Sequence, residues 1–309
     1  MPIEPTARGA RALLMALVLG VAACAISAEP STTDDRFPTS EAYPPGTMER
    51  IDFSAGVPER WRISALRTPE RPQASWKVVI ITGTPSWSEY WAPTIADLPA
   101  TREMIVADRP GFRSSEPEDA VRDLAKQADA LAPMLETHPG ERVLLVGQSF
   151  GAPVAALMAQ RYPDRVHALV LVSAYFGDRG PTARRLVGAG RLFHGLLPRD
   201  LRNSVSEMSA QADQLPGVWA AMRELEQPVV FVHGDADNFV PLEADRRIAA
   251  EYGHTLVTVP DGDHFLNACC VPALLGAFER AIAEAEGRQA AQPPTPTAGA
   301  DPAHGPALQ

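Results

Sequence analysis

Short, continuously apolar runs alternate along this chain with longer stretches in which apolar residues recur every three or four positions. The runs lie at 78–81, 104–106, 143–146, 169–172 and 229–232 and are rich in valine, isoleucine and leucine. A strand that is apolar at every position is covered on both faces, so these runs predict the inner strands of a mostly parallel sheet. Segment 61–66 alternates polar and apolar side chains instead, as an outer strand does. Helical spacing is read over about 117–137, 150–161, 241–252 and 271–286, and a last strand opens at His254. The β-α-β-α order implies right-handed crossovers, with helices flanking the sheet. The rhythm breaks between Val172 and Val229, where more than 50 residues offer helix formers and turns but no strand. A structureless loop that long is disfavoured in a compact domain. Segment 177–227 is therefore expected to form an inserted helical cap, with Val218 and Trp219 bearing on substrate choice.

The ends of the chain follow different rules. Arg8 and Arg11 precede an apolar run over 12–25, which is short for a bilayer span and suited to a signal sequence. The run ends in Val21-Ala22-Ala23-Cys24, which resembles a bacterial lipobox. Residues 1–23 are accordingly read as a lipoprotein-type signal peptide, and Cys24 as the lipidated mature N-terminus. A simple signal peptide cut at Ile26-Ser27-Ala28 and an uncleaved anchor helix are the alternatives, and each exports the protein to the cell envelope. Segment 24–46 contains Pro30, Pro38, Pro44 and Pro45 among polar residues and reads as an extended tether. Segment 288–309, with Pro293, Pro294, Pro296, Pro302 and Pro306, reads as a disordered tail. One domain, 47–287, remains.

Charge and cysteine content narrow the chemistry. The 309 residues hold 28 Lys+Arg against 38 Asp+Glu, a formal charge of −10. A surface of that sign repels phosphate backbones and argues against nucleic acid as a partner. Besides Cys24 only Cys269 and Cys270 are present, and sequence neighbours rarely pair. They are expected to be apolar filler, which leaves the domain to stand on its own core. No metal-ligand spacing or phosphate-binding glycine loop is found, so neither a metal nor a cofactor is implied.

The strongest chemical signal follows the run at 143–146. Gly147-Gln148-Ser149-Phe150-Gly151 passes directly into a helix, forming a G-x-S-x-G nucleophile elbow. Glycines let strand and helix approach closely, the strained turn lifts the serine hydroxyl, and the helix N-terminus supplies free N–H groups. With this motif the chain resembles the alpha/beta hydrolases over nearly the whole domain. Ile81-Thr82-Gly83-Thr84-Pro85 is similar to the family's H-G-x-P oxyanion loop, and Asp108-Arg109-Pro110-Gly111-Phe112 to its D-R-P-G-F turn. His233-Gly234-Asp235-Ala236-Asp237-Asn238-Phe239-Val240-Pro241 resembles its acid loop, and Gly262-Asp263-His264-Phe265 its histidine loop. Three positions depart from the pattern: Thr82 for the usual histidine, Ala152 for a second glycine, and Arg113 where glycine is common.

The resemblance implies an alpha/beta-hydrolase fold and a small-molecule acyl substrate, with Ser149 as nucleophile. His264, after the last strand, is the expected base, while His233 is read as a packed loop residue. Asp237 is the expected acid by its spacing after Gly234, with Asp235 and Asp178 as competitors. The backbone N–H groups of Phe150 and Thr84 are the expected oxyanion donors. Trp87, Tyr90 and Trp91 are read either as pocket lining or as loop packing, and Asp108 and Arg109 as a turn-fixing cap and salt bridge. The implied activity is hydrolysis of an ester, thioester or lactone by a monomer. Acyl transfer or perhydrolysis by the same triad, and a non-catalytic envelope binding protein, are the alternatives.

Overall fold

The computed structural model describes residues 37–291. The signal segment, Cys24 and the distal proline-rich tail lie outside the described residues. Eight strands form one sheet in the order β1-β2-β4-β3-β5-β6-β7-β8. They are β1 (Glu49–Ser54), β2 (Arg62–Arg67), β3 (Trp76–Ile81), β4 (Arg102–Ala107), β5 (Arg142–Gln148), β6 (Ala168–Val172), β7 (Val229–Gly234) and β8 (Thr255–Val259). β2 runs antiparallel to both β1 and β4, and every other pairing is parallel.

Successive side chains of a strand point to opposite faces, so continuous apolar runs feed two cores at once. Val79, Ile81, Leu145, Leu169, Leu171 and Phe231 join one cluster. Val78, Ile80, Leu144, Val146, Val170 and Val232 join the other. The first face is covered by α2 (Leu124–Leu131), α3 (Gly151–Arg161), α6 (Leu215–Glu224) and α7 (Leu242–Tyr252). The second is covered by α1 (Ala92–Ala96), α8 (Leu266–Cys269) and α9 (Val271–Ala291), through Ile95, Leu266, Leu274, Phe278 and Ile282. Each fully buried Val, Leu or Ile contributes roughly 1.5–3 kcal/mol, which explains a core that holds with no long-range disulfide among the described residues.

Between β6 and β7 lie α4 (Pro181–Leu192), α5 (Arg199–Ala210) and α6. The expected cap is therefore two different things. α4 and α5 form an outer insert, while α6 buries Val218 and Met222 in the core cluster with α3 residues. Val218 is completely buried, so the expected role of Val218 and Trp219 in substrate choice is corrected to packing. The Trp219 ring lies tilted against that of Phe176, with ring centroids 5.0 Å apart. Its apolar periodicity fitted a cap face and a core face equally well.

Other expectations shift at their edges. β1 carries charge on an exposed, alternating strand and was not anticipated. The helix expected at 117–137 shortens to α2, preceded by turns and begun by the Asp123 side chain accepting from Lys126 N at 3.0 Å. The end of the expected tether is packed: Phe37 is buried, with its ring 4.9 Å from that of Tyr90 and 5.4 Å from that of Phe265. α9 continues helically through 288–291, where a tail was expected. Cys269 and Cys270 are joined as a vicinal disulfide; Cys269 is exposed rather than apolar filler, while Cys270 packs against the second core cluster. The short turn between α8 and α9 brings the two sulfurs together.

Candidate active site

The loop after β5 is shaped by contacts that only glycine permits. A Cβ on Gly147 would lie 2.7 Å from Ala152 Cα, and one on Gly151 would lie 2.1 Å from the Ile81 carbonyl oxygen. Ser149 takes φ 50°, a left-handed conformation costly for a residue with a side chain. The turn is held by Ser149 N donating to Val172 O (2.8 Å) and by Ala152 N and Tyr175 N donating to Ser149 O (3.0 and 3.1 Å). α3 begins immediately after, and Ala152 is accommodated in the tight helix–strand contact.

Ser149 Oγ lies 3.1 Å from His264 Nε2, and His264 Nδ1 lies 2.7 Å from Asp237 Oδ2. Serine, histidine and aspartate come from the loops after β5, β8 and β7, at the carboxyl edge of the sheet where open α/β folds assemble ligand sites. Asp237 Oδ1 accepts from the N–H groups of Phe239 (2.7 Å) and Val240 (2.9 Å), which fixes the carboxylate. The Phe239 ring stacks on the imidazole of His264 at 5.0 Å. The competitors lie elsewhere. Asp235 accepts from Asp261 N at 2.7 Å as a loop cap, and Asp178 pairs with Arg247 at the surface.

The predicted oxyanion loop packs directly on Ser149, since a Cβ on Gly83 would sit 3.0 Å from Ser149 Cβ. Thr84, the next residue, follows with a cis Thr84–Pro85 peptide. Thr82, at the usual histidine position, is buried and donates its hydroxyl to Ser86 O at 3.4 Å. Arg113 takes φ 45°, which accounts for glycine being common there, and its guanidinium lies 4.7 Å from the Trp87 ring centre. Trp87, Tyr90 and Trp91 are buried in the second core cluster, so loop packing is their role.

Asp108 and Arg109 do not pair with each other as expected. Asp108 accepts from Ser88 N (2.9 Å) and Ser88 Oγ (2.7 Å) and faces Arg50 at 3.5 Å. Arg109, fully buried, forms a two-pronged pair with Glu207 of α5 at 2.9 and 3.1 Å. It also donates to Gly83 O at 2.8 Å and to Gln127 Oε1 at 2.6 Å. Glu207 in turn accepts from Thr84 Oγ1 at 2.9 Å. Insert, D-R-P-G turn and oxyanion loop are thus one buried polar cluster. Removing one partner of such a buried pair typically costs about 3–5 kcal/mol.

A second relay behind Asp237 was also missed. His233 Nε2 lies 3.4 Å from Asp237 Oδ2 and 3.1 Å from Val240 O, while Nδ1 lies 2.7 Å from Asp245 Oδ2. Burial opposes a charge on His233, but its hydrogen bonds to Asp237 and Asp245 outweigh this and raise its pKa to about 9. Burial likewise opposes ionisation of Asp237, yet hydrogen bonds from His233 and His264 hold its carboxyl well below the ordinary range. Asn267 completes the framework, accepting from Gln148 Nε2 at 3.2 Å and donating to Tyr90 O at 2.7 Å. Glu207, Asp245 and Asn267 lie in ordinary helical sequence, where no local signal marks them.

The model of the alpha/beta hydrolase fold matches residues 77–201. A 2-hydroxy-6-oxononadienedioate/2-hydroxy-6-oxononatrienedioate hydrolase of Paraburkholderia phymatum is 27% identical over 207 residues, 54% of this chain and 71% of that protein. A 2-hydroxymuconate semialdehyde hydrolase of a Pseudomonas species is 27% identical over 205 residues, again 54% of this chain and 71% of that protein. Among solved structures, a thermophilic esterase from Thermogutta terrifontis superposes with a TM-score of 0.62 at 19% identity, covering 77% of this chain and 99% of that one. The fold is that of the alpha/beta hydrolases. Those relatives are hydrolases, the esterase among them.

Two outcomes test the geometry. Asp237→Asn keeps the shape and removes the charge facing His264; the equivalent change in a serine-protease triad lowers kcat by about 10⁴. We expect at least about 10² here on an activated ester, and less than about tenfold for Asp235→Asn. The reverse ranking in steady-state assays would reassign the acid. The second outcome concerns pH. His233 has a raised folded pKa, so its stabilising contribution is complete below about pH 6.5 and is lost as pH rises through about 9. The unfolding free energy should therefore fall on the alkaline side by up to roughly 3 kcal/mol, melting temperatures falling with it, and His233→Gln should flatten that limb. An identical alkaline slope in both proteins would show that His233 is not the titrating group.

Proposed function

We propose that this protein is a serine hydrolase that cleaves a carboxylic ester through an acyl-enzyme. The observation carrying the reading is the unbroken relay from Ser149 Oγ through His264 to Asp237 at the mouth of the nucleophile elbow. His264 Nε2 takes the hydroxyl proton as Ser149 Oγ bonds to the carbonyl carbon. Asp237 holds Nδ1–H and stabilises the imidazolium. The tetrahedral oxyanion is received by the N–H groups of Phe150 and Thr84, neither of which has another acceptor among the described residues. Collapse of the intermediate transfers the proton from Nε2 to the departing alkoxide. Water then attacks the acyl-serine by the same route and releases the acid.

Carbon–carbon bond hydrolysis is a second reading, favoured by the two curated relatives, whose names describe hydrolases of oxo-dienedioate and muconate semialdehyde compounds. One panel separates the readings: short and long acyl esters, thioesters, lactones and a vinylogous 1,5-diketo acid, assayed with the parent and with Ser149→Ala. Ester turnover lost in Ser149→Ala, together with fluorophosphonate labelling at Ser149 of the parent, supports the first reading. Turnover of the diketo acid alone supports the second. Ester hydrolysis undiminished in Ser149→Ala would overturn the assignment of the nucleophile.

We further propose that the protein is exported and held at the cell envelope through lipid on Cys24, as the lipobox-like Val21-Ala22-Ala23-Cys24 and the arginines before it imply. Mass spectrometry of the mature N-terminus should find an acylated cysteine. An unmodified terminus at Glu29 would establish a plain signal peptide.

A further inference from the structure

The outer insert carries a surface that its fold does not explain. Among the described residues four large apolar side chains are strongly exposed, and three belong to this insert: Leu186 at 42%, Leu192 at 75% and Leu196 at 78%. α4 buries Ala183, Val187 and Gly190 on its inner side, so Leu192 lies opposite that side and Leu186 at its margin. The chain then turns through Leu192-Phe193-His194-Gly195-Leu196-Leu197-Pro198, an apolar corner in which Phe193 and Leu197 are only half-buried. A soluble surface seldom gathers apolar residues this way without a partner.

Charge identifies the partner. From Arg179 to Arg199 the sequence has five arginines and no aspartate or glutamate, in a chain whose formal charge is −10. The bracketing acids are occupied, Asp178 by Arg247 and Asp200 by Arg199. Arg184 and Arg185 are exposed and, like Arg191, face no carboxylate among the described residues; Arg184 donates to Arg179 O and Arg191 to Ser209 Oγ. Beside the corner, a groove between α4 and α5 is lined by Arg122, Arg191, His194, Ser206 and Ser209, with His194 Nε2 3.0 Å from Ser206 Oγ. Leucines ringed by arginines and hydroxyls match an interface whose outer layer is anionic and whose inner layer is hydrocarbon.

The start of the described chain agrees. Phe37, preceded by 36 residues, packs on Tyr90 and on Phe265, the neighbour of His264. The described residues therefore begin at the same sheet edge to which Glu207 fastens the insert.

We propose that the corner 186–197 docks on an anionic phospholipid bilayer, its leucines entering the interface while Arg184, Arg185 and Arg191 meet the headgroups. The site beneath the insert then faces the membrane. Docking depends neither on the reaction catalysed nor on lipid at Cys24.

The test uses the full chain with Cys24→Ser, which removes the other proposed lipid contact, and Leu196→Cys labelled with an environment-sensitive dye. The probe reports burial of the corner itself, whatever the N-terminal segment does. Mixing with phosphatidylcholine vesicles containing phosphatidylglycerol should shift the emission to the blue, and pure phosphatidylcholine should not. Arg184→Glu with Arg185→Glu should raise the lipid concentration for half-binding by about tenfold or more, and added salt should weaken the parent. Because these side chains are exposed, folding of each variant is verified by circular dichroism, and Leu192→Cys provides a second labelled position. No shift from either position on anionic vesicles would overturn the proposal. An unchanged half-binding concentration in the charge-reversed protein would do the same.

Discussion

Ser149 occupies a backbone conformation that costs an L-residue roughly 1–3 kcal/mol, and much of the structure serves to hold it there. The left-handed turn lifts the hydroxyl off the end of β5 and aims the start of α3 at the space above it. It persists because Gly147 and Gly151 allow contacts closer than any Cβ would tolerate, and because neighbouring loops bond to its backbone. The apolar runs on both sides of β5 make that foundation rigid. A turn on a softer edge would relax, and the hydroxyl would sink toward the sheet.

Around this point the protein uses buried charge as fastening. Arg109 and Glu207, both fully buried, bind the insert to the loop that contains Gly83 and Thr84. The desolvation cost of such a pair is offset in part because Gln127, Thr84 and the Gly83 carbonyl add hydrogen bonds to it, although Arg109 Nε is left buried without a partner. His233, placed between Asp237 and Asp245, does the equivalent for the acid loop. The Arg109 cluster joins elements distant in sequence, so orientation of the Gly83–Thr84 loop and attachment of the insert share the same interactions.

The insert divides along the same line. α6 is core, with Val218 and Met222 packed beside α3, whereas α4 turns leucines and arginines outward. One segment therefore closes the domain on one side and presents an unpartnered surface on the other. The proposed hydrolase chemistry and the proposed membrane surface meet at its inner and outer sides.

Much of the fold was legible because its determinants are local. Apolar runs in β3, β5, β6 and β7 state burial on both faces, and Gly147-Gln148-Ser149-Phe150-Gly151 states a tight strand–helix turn. The resemblance of 233–241 to the family's acid loop ranked Asp237 ahead of Asp235, and the structure places Asp237 against His264 while Asp235 caps a loop. Other features had no local sign. β1 is a charged edge strand, α6 has an amphipathic pattern that does not say which surface it will meet, and the Cys269–Cys270 turn depends on how α8 meets α9. Glu207 gains its role from Arg109 and Asp245 is held by Ala174 N, both across the fold, and the position of His233 between Asp237 and Asp245 appears only once their loop and helix are folded. The sequence by itself determined the alternation, the elbow and the residue types able to carry the chemistry, because periodicity and glycine sterics act between near neighbours. Only the tertiary structure decided which charges are buried together and which apolar face remains outside, because desolvation and pairing arise only when distant segments meet.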